Sequence, residues 1–127
     1  MTKSEQIQTS AAPEAIGPYS QAIKSGSLVF LSGQIPLDPS SMEIVSGGIT
    51  AQTHQVFSNL TAVAEAAGAS LNDAAKLTIY LTNLSDFVQV NEIMAEYFSE
   101  PYPARATVQV SALPKGAEIE IDAILAI

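Results

Sequence analysis

Apolar and polar positions along this chain switch between two periods. From Pro103 the residues alternate, with Ala104, Ala106, Val108 and Val110 on one side and Arg105, Thr107 and Gln109 on the other. That is the period-two pattern of a half-buried strand. Lys76 to Leu81 repeats it, with Leu77, Ile79 and Leu81 opposed to Lys76, Thr78 and Tyr80. Glu118 to Ile127 does so again, with Ile119, Ile121, Ala123, Leu125 and Ile127 on one face. Ser20 to Lys24 and Leu28 to Ser32 predict a hairpin joined by Ser25-Gly26-Ser27, and Glu5 to Ser10 a short edge strand. Leu28-Val29-Phe30-Leu31 is apolar on both faces, so something is expected to cover each side of the sheet.

The helical period governs two stretches. In Thr50 to Ala67, Val56, Leu60, Val63 and Ala67 form a stripe widened by Phe57 and Ala64, and Gly68 supplies the stop. Ser85-Asp86 opens a second helix to about Phe98, with Phe87, Val90, Met94 and Tyr97 as its buried stripe. Ser70 and Asp73 have capping-box spacing, predicting a turn before the Lys76 strand. Pro36, Pro39 and Gly47-Gly48 make Ile35 to Gly48 a long connection with a small hairpin. The order is ββ(β)αβαββ, an α+β domain spanning residues 1–127, with a mixed sheet of about six strands. Two helices of similar length should lie side by side and cover the sheet's apolar side. The other face is then expected to carry Arg105, Thr107, Gln109, Glu118, Glu120, Asp122, Thr78 and Tyr80. Such a mixed face suits a second copy of the chain better than bulk water, which predicts a ring-shaped homo-oligomer with polar pockets between subunits.

Composition narrows the chemistry. Only 14% of residues are charged against 47% apolar, which also points to surface buried between subunits. Acids outnumber Lys plus Arg thirteen to five, giving a net charge of −8. That balance argues against nucleic acid, whose phosphates call for basic patches. No basic amphipathic helix or long apolar run suggests a membrane, and Met1 to Glu14 lacks the apolar core of a signal peptide. A soluble, cytoplasmic protein is expected. Cysteine is absent and His54 is the single histidine, which disfavours a thiolate nucleophile or a zinc site.

The candidates that remain are few. Arg105 is the only arginine, set on a rigid strand, and its fork suits a carboxylate or phosphate. A structural ion pair with a neighbouring strand's carboxylate is the competing reading. Glu120 can accept a proton from water or position that water, or it can simply pair with Arg105. Glu118 and Asp122 are better read as solvated charges. Gly33 follows a buried strand, where it serves either a bulge or a close backbone approach. Asn91 sits beside the second helix's stripe and could reach a cleft, whereas His54 is expected to be solvated or at an interface.

Four segments in sequence order then carry a resemblance: Ile16-Gly17-Pro18-Tyr19-Ser20-Gln21-Ala22, Leu31-Ser32-Gly33-Gln34-Ile35-Pro36, Pro103-Ala104-Arg105-Ala106-Thr107-Val108, and Leu113-Pro114-Lys115-Gly116-Ala117-Glu118-Ile119-Glu120-Ile121. Together they closely resemble the RidA (YjgF) family of reactive intermediate deaminases, over nearly the whole length. The resemblance implies a chorismate-mutase-like fold, a homotrimer with sites between subunits, and no cofactor. It further implies hydrolysis of enamine and imine acids, such as 2-aminoacrylate and 2-iminobutanoate, to 2-oxo acids and ammonium. These intermediates escape from pyridoxal-phosphate enzymes, so the role is one of metabolite damage control. By position, Arg105 would bind the carboxylate and Glu120 direct the water, with Tyr19, Ser32, Gly33 and Asn91 lining the pocket. Thr107 stands where many relatives have cysteine, a position whose backbone amide the family turns toward the carboxylate. The competing functions are a metabolite-binding module sensing 2-oxo acids, a ribonuclease or translation inhibitor, and a holdase-like chaperone.

Overall fold

The computed structural model describes residues 4–127. The first three residues of the Met1 to Glu14 stretch thus lie outside the described residues. The strands are β1 (Glu5–Ile7), β2 (Ala22–Ser25), β3 (Leu28–Gln34), β4 (Ala74–Leu81), β5 (Ala104–Gln109) and β6 (Ile119–Ala126). The helices are α1 (Gly48–Ala66) and α2 (Phe87–Tyr97). The strands form one mixed sheet in the order β1-β2-β3-β6-β4-β5. Every pairing is antiparallel except β4 with β5, which α2 connects as a crossover. No helix among the described residues is long and apolar enough to cross a membrane.

The helical periods become one packed layer. Val56, Phe57, Leu60 and Val63 of α1, with Val90, Ile93 and Met94 of α2, are buried against Val29, Leu31, Leu77, Ile79, Ile119, Ile121 and Leu125 of the sheet. Helix α1 starts two residues before Thr50, and Ile93 joins the stripe on α2 while Phe87 and Tyr97 are only half-buried. Gly68, at φ 77°, ends the α1 region by donating its N–H to the Glu65 carbonyl. The capping box forms as its spacing predicts, with Ser70 Oγ accepting from Asn72 N at 3.1 Å and Ser70 N donating to Asp73 Oδ2 at 2.9 Å. Leu60 is fully buried in this layer. Leu60→Ala is therefore expected to cost about 2–5 kcal/mol, read as a lower urea midpoint.

On the strand carrying Arg105, the face expectation fails. β5 runs parallel to β4 in the register Leu77↔Arg105, Ile79↔Thr107 and Leu81↔Gln109. Arg105, Thr107 and Gln109 therefore share the helix-covered face with buried leucines and isoleucine. Ala104, Ala106 and Val108 lie on the open face with Thr78, Tyr80, Glu120 and Asp122. The physical reason is the edge. β5 is an edge strand, where Arg105 and Gln109 stay exposed although they share the helix-covered face, and its small alanines demand no cover. Glu118 also leaves the open face. It precedes β6 and turns to α1, where Gln52 Nε2 donates to Glu118 Oε2 at 2.9 Å and Gln52 Oε1 accepts from Glu118 N at 2.9 Å. The helices cover only one side of β3, leaving Leu28 and Phe30 on the open face at 38% and 43% exposure.

Candidate functional site

Arg105 is held by one face of α2. Phe87, Asn91 and Met94 stand four and three residues apart, so a helix presents them together. Arg105 Nη1 donates to Asn91 Oδ1 at 2.6 Å and approaches Met94 Sδ at 3.5 Å. The guanidinium carbon lies 5.0 Å from the centre of the Phe87 ring. Among the described residues none of these contacts is a carboxylate, so the structural ion pair is not what occupies this arginine. One nitrogen is braced and the rest of the fork is open to an oxyanion. Arg105 lines two clefts, one of 420 Å³ with Asn91, Met94 and Tyr102. The other, of 360 Å³, lies against Leu84, Phe87 and Thr107. Thr107 Oγ1 is buried and has no hydrogen-bond partner among the described residues.

The second group gathers on the open face around Glu120. A Cβ built on Gly33 would lie 2.5 Å from Glu120 Oε2 and 2.9 Å from its Cδ. Gly33 therefore lacks a side chain because the Glu120 carboxylate fills that space, which is the close-approach reading of this glycine. Ser32 next to it donates its hydroxyl to the Ser20 carbonyl at 2.6 Å, while Ser32 N donates to the Gln21 carbonyl at 3.0 Å. These bonds tie β3 to the Gly17-Pro18-Tyr19 turn. Tyr19 is 53% exposed. It borders a 370 Å³ cleft with Glu14, Gln21 and the segment after β1. Gln21 anchors that segment, accepting from Thr9 N at 2.7 Å and donating to the Pro13 carbonyl at 2.8 Å.

Burial pushes the Glu120 carboxyl above its ordinary value, and the Asp122 charge adds to the shift. Asp122 is not a plain solvated charge, since it accepts a hydrogen bond from the Tyr80 hydroxyl at 3.0 Å. A half-buried carboxyl with raised proton affinity suits proton exchange with water.

The expected site residues thus fall into two sets. Arg105, Asn91 and Thr107 converge at the β5 edge on the helix face. Ser32, Gly33 and Glu120 converge on the open face, with Tyr19 reached through the Ser20 contact. β5 and β6 stand two strand spacings apart, roughly 10 Å, and their functional side chains point to opposite faces. Arg105 and Glu120 do not pair with each other, and one chain does not offer both to one small molecule. His54 lies outside both sets, with its Nδ1 bonded to the Tyr97 hydroxyl at 2.8 Å. In the sequence Phe87 and Met94 read only as core. Their spacing with Asn91 was the available signal of a platform for a cation. The Tyr80–Asp122 bond had no such signal, because it depends on the β4–β6 register.

Residues 9–127 match the family described as endoribonuclease L-PSP. The RutC family protein PH0854 of Pyrococcus horikoshii is 57% identical over 120 residues, covering 94% of this chain and 95% of its own. The 2-iminobutanoate/2-iminopropanoate deaminase of Homo sapiens is 47% identical over 118 residues, covering 93% and 86%. The crystal structure of RidA from the Antarctic bacterium Psychrobacter sp. superposes with a TM-score of 0.94 at 54% identity, over 97% of this chain and 99% of that one.

Proposed function

Because the chain belongs to the RidA (YjgF) family, whose model is that of endoribonuclease L-PSP, and has its chorismate-mutase-like fold, we propose that it hydrolyses reactive enamine and imine acids to 2-oxo acids and ammonium. The observation that carries this reading is Arg105, braced by Asn91 and Phe87 yet free of any carboxylate among the described residues. Its fork grips the carboxylate of a substrate such as 2-iminobutanoate or the imine of 2-aminoacrylate by parallel hydrogen bonds. The relative from Homo sapiens, which has 2-iminobutanoate/2-iminopropanoate deaminase as its name, supports the same substrate class.

The imine carbon is already electrophilic, so orientation and one directed water suffice. Water adds to the carbon of the protonated imine as Glu120 takes one of its protons, and Glu120 returns that proton to the nitrogen of the resulting carbinolamine. The carbon–nitrogen bond then breaks as the hydroxyl forms the carbon–oxygen double bond, and the hydroxyl proton leaves with ammonia as ammonium. The two residue sets meet when copies of the chain pack as a homotrimer. Arg105, Asn91 and Thr107 of one subunit then face Tyr19, Ser32, Gly33 and Glu120 of the next. The exposed Leu28, Phe30 and Val108 on the open face supply apolar surface for such packing. The chain works on imines released by pyridoxal-phosphate enzymes in the cytoplasm.

The test is a coupled assay in which threonine or serine dehydratase generates the imine and 2-oxo acid release is followed. Added protein is expected to accelerate release, and light scattering to report three subunits. A folded oligomer that accelerates neither reaction would replace this reading with that of a binding module for 2-oxo acids.

A further inference from the structure

Glu120 does not stand alone on its face of the sheet. Asp122 is two residues on along β6, roughly 7 Å away and on the same side. Tyr80 of β4 is the cross-strand partner of Glu120, yet its hydroxyl donates diagonally to Asp122 Oδ2 at 3.0 Å. The Glu120 carboxylate leans the other way, into the space that Gly33 leaves on β3. Two carboxylates therefore share one half-buried face, and among the described residues only Asp122 has a donor. We propose that Asp122, held in place by the Tyr80 hydroxyl, is a positioning residue that works with burial to raise the proton affinity of Glu120. This rests on the reading of Glu120 as the group that directs water.

A fixed negative charge on the same half-buried surface disfavours the charged form of a neighbouring carboxyl. The Tyr80 bond fixes where the Asp122 charge stands, and that charge adds to burial in raising the proton affinity of Glu120. Tyr80 is suited to remain the donor, because burial and then its bond to Asp122 push its hydroxyl upward. The other groups facing Glu120 do not compensate. β3 offers Phe30, Ser32 and Gly33, and β4 offers Thr78 beside Tyr80. Lys76 shares the face but lies opposite Ile124, beyond Asp122. Arg105 and Glu118 lie on the helix side.

The experiment is a carbon-13 NMR titration of protein labelled at glutamate carboxyls, with the Glu120 signal assigned by E120Q. It is run on the wild type, D122N and Y80F, beside the pH profile of kcat/KM. Removing the Asp122 charge should lower the Glu120 midpoint by roughly half a pH unit or more. The acidic limb of the profile should move down with it, because the base form of Glu120 then persists to lower pH. Y80F should give a smaller fall of the same sign, and it carries the test if D122N does not fold. An unmoved Glu120 midpoint overturns the proposal, as does a midpoint that falls while the acidic limb stays. A wild type without deaminase activity rejects the function instead, and the NMR midpoints still decide whether Asp122 governs Glu120.

Discussion

Arg105→Ala is expected to lower kcat/KM for imine acids by roughly a hundredfold or more, the loss of a charged anchor worth about 2–4 kcal/mol. The fold should hardly notice. Arg105 is exposed on an edge strand, and among the described residues its contacts are one amide, one thioether and one aromatic face. Losing the cation over Phe87 costs about 1 kcal/mol or less, so the thermal midpoint should fall only slightly. Arg105→Lys keeps the charge but loses the planar fork, and should recover only part of the activity. Steady-state kinetics beside a thermal melt separate the outcomes. An unchanged kcat/KM in the alanine variant would remove Arg105 from the site.

Gly33→Ala should be the second large effect, a loss of roughly tenfold to a hundredfold in kcat/KM with little loss of stability. Gly33 does not occupy the left-handed region, so alanine meets no backbone obstacle there. What it meets is Glu120, whose Oε2 would be 2.5 Å from the new methyl. The obstructed atoms end a flexible side chain, so Glu120 moves and the strand stays. Under the proposed mechanism activity should fall because the carboxylate no longer stands where the water would be directed, a contribution of about 10²–10⁴ for a positioned general base. A double-mutant cycle checks the cause. If the methyl acts through Glu120, G33A combined with E120Q should lose little more than E120Q alone. Additive losses would show that Gly33 serves the site by another route.

Both predictions concern residues whose type was legible and whose placement was not. A lone arginine in an acidic chain and a glycine after a buried strand are visible as residues. Where their side chains and spaces point depends on strand pairing.

The chain's own periodicity determined the elements. The Val56–Leu60–Val63 stripe, the Ser70–Asp73 capping box, the hairpin before Leu28 and the alternation of Ile119, Ile121 and Ala123 each follow from contacts within a few residues, so local sequence suffices for them. Resemblance carried by four segments indicated the family and the candidate residues. Tertiary structure alone decided the faces. Ala104 and Ala106 are too small to force burial, so the alternation in β5 says that the strand has two sides without saying which is covered. The parallel register Leu77↔Arg105 chose the helix side. Glu118 was captured by Gln52, 66 residues away, and Asp122 by Tyr80, 42 away. Such long-range partners are set by which strands and helices become neighbours, and no local pattern encodes that.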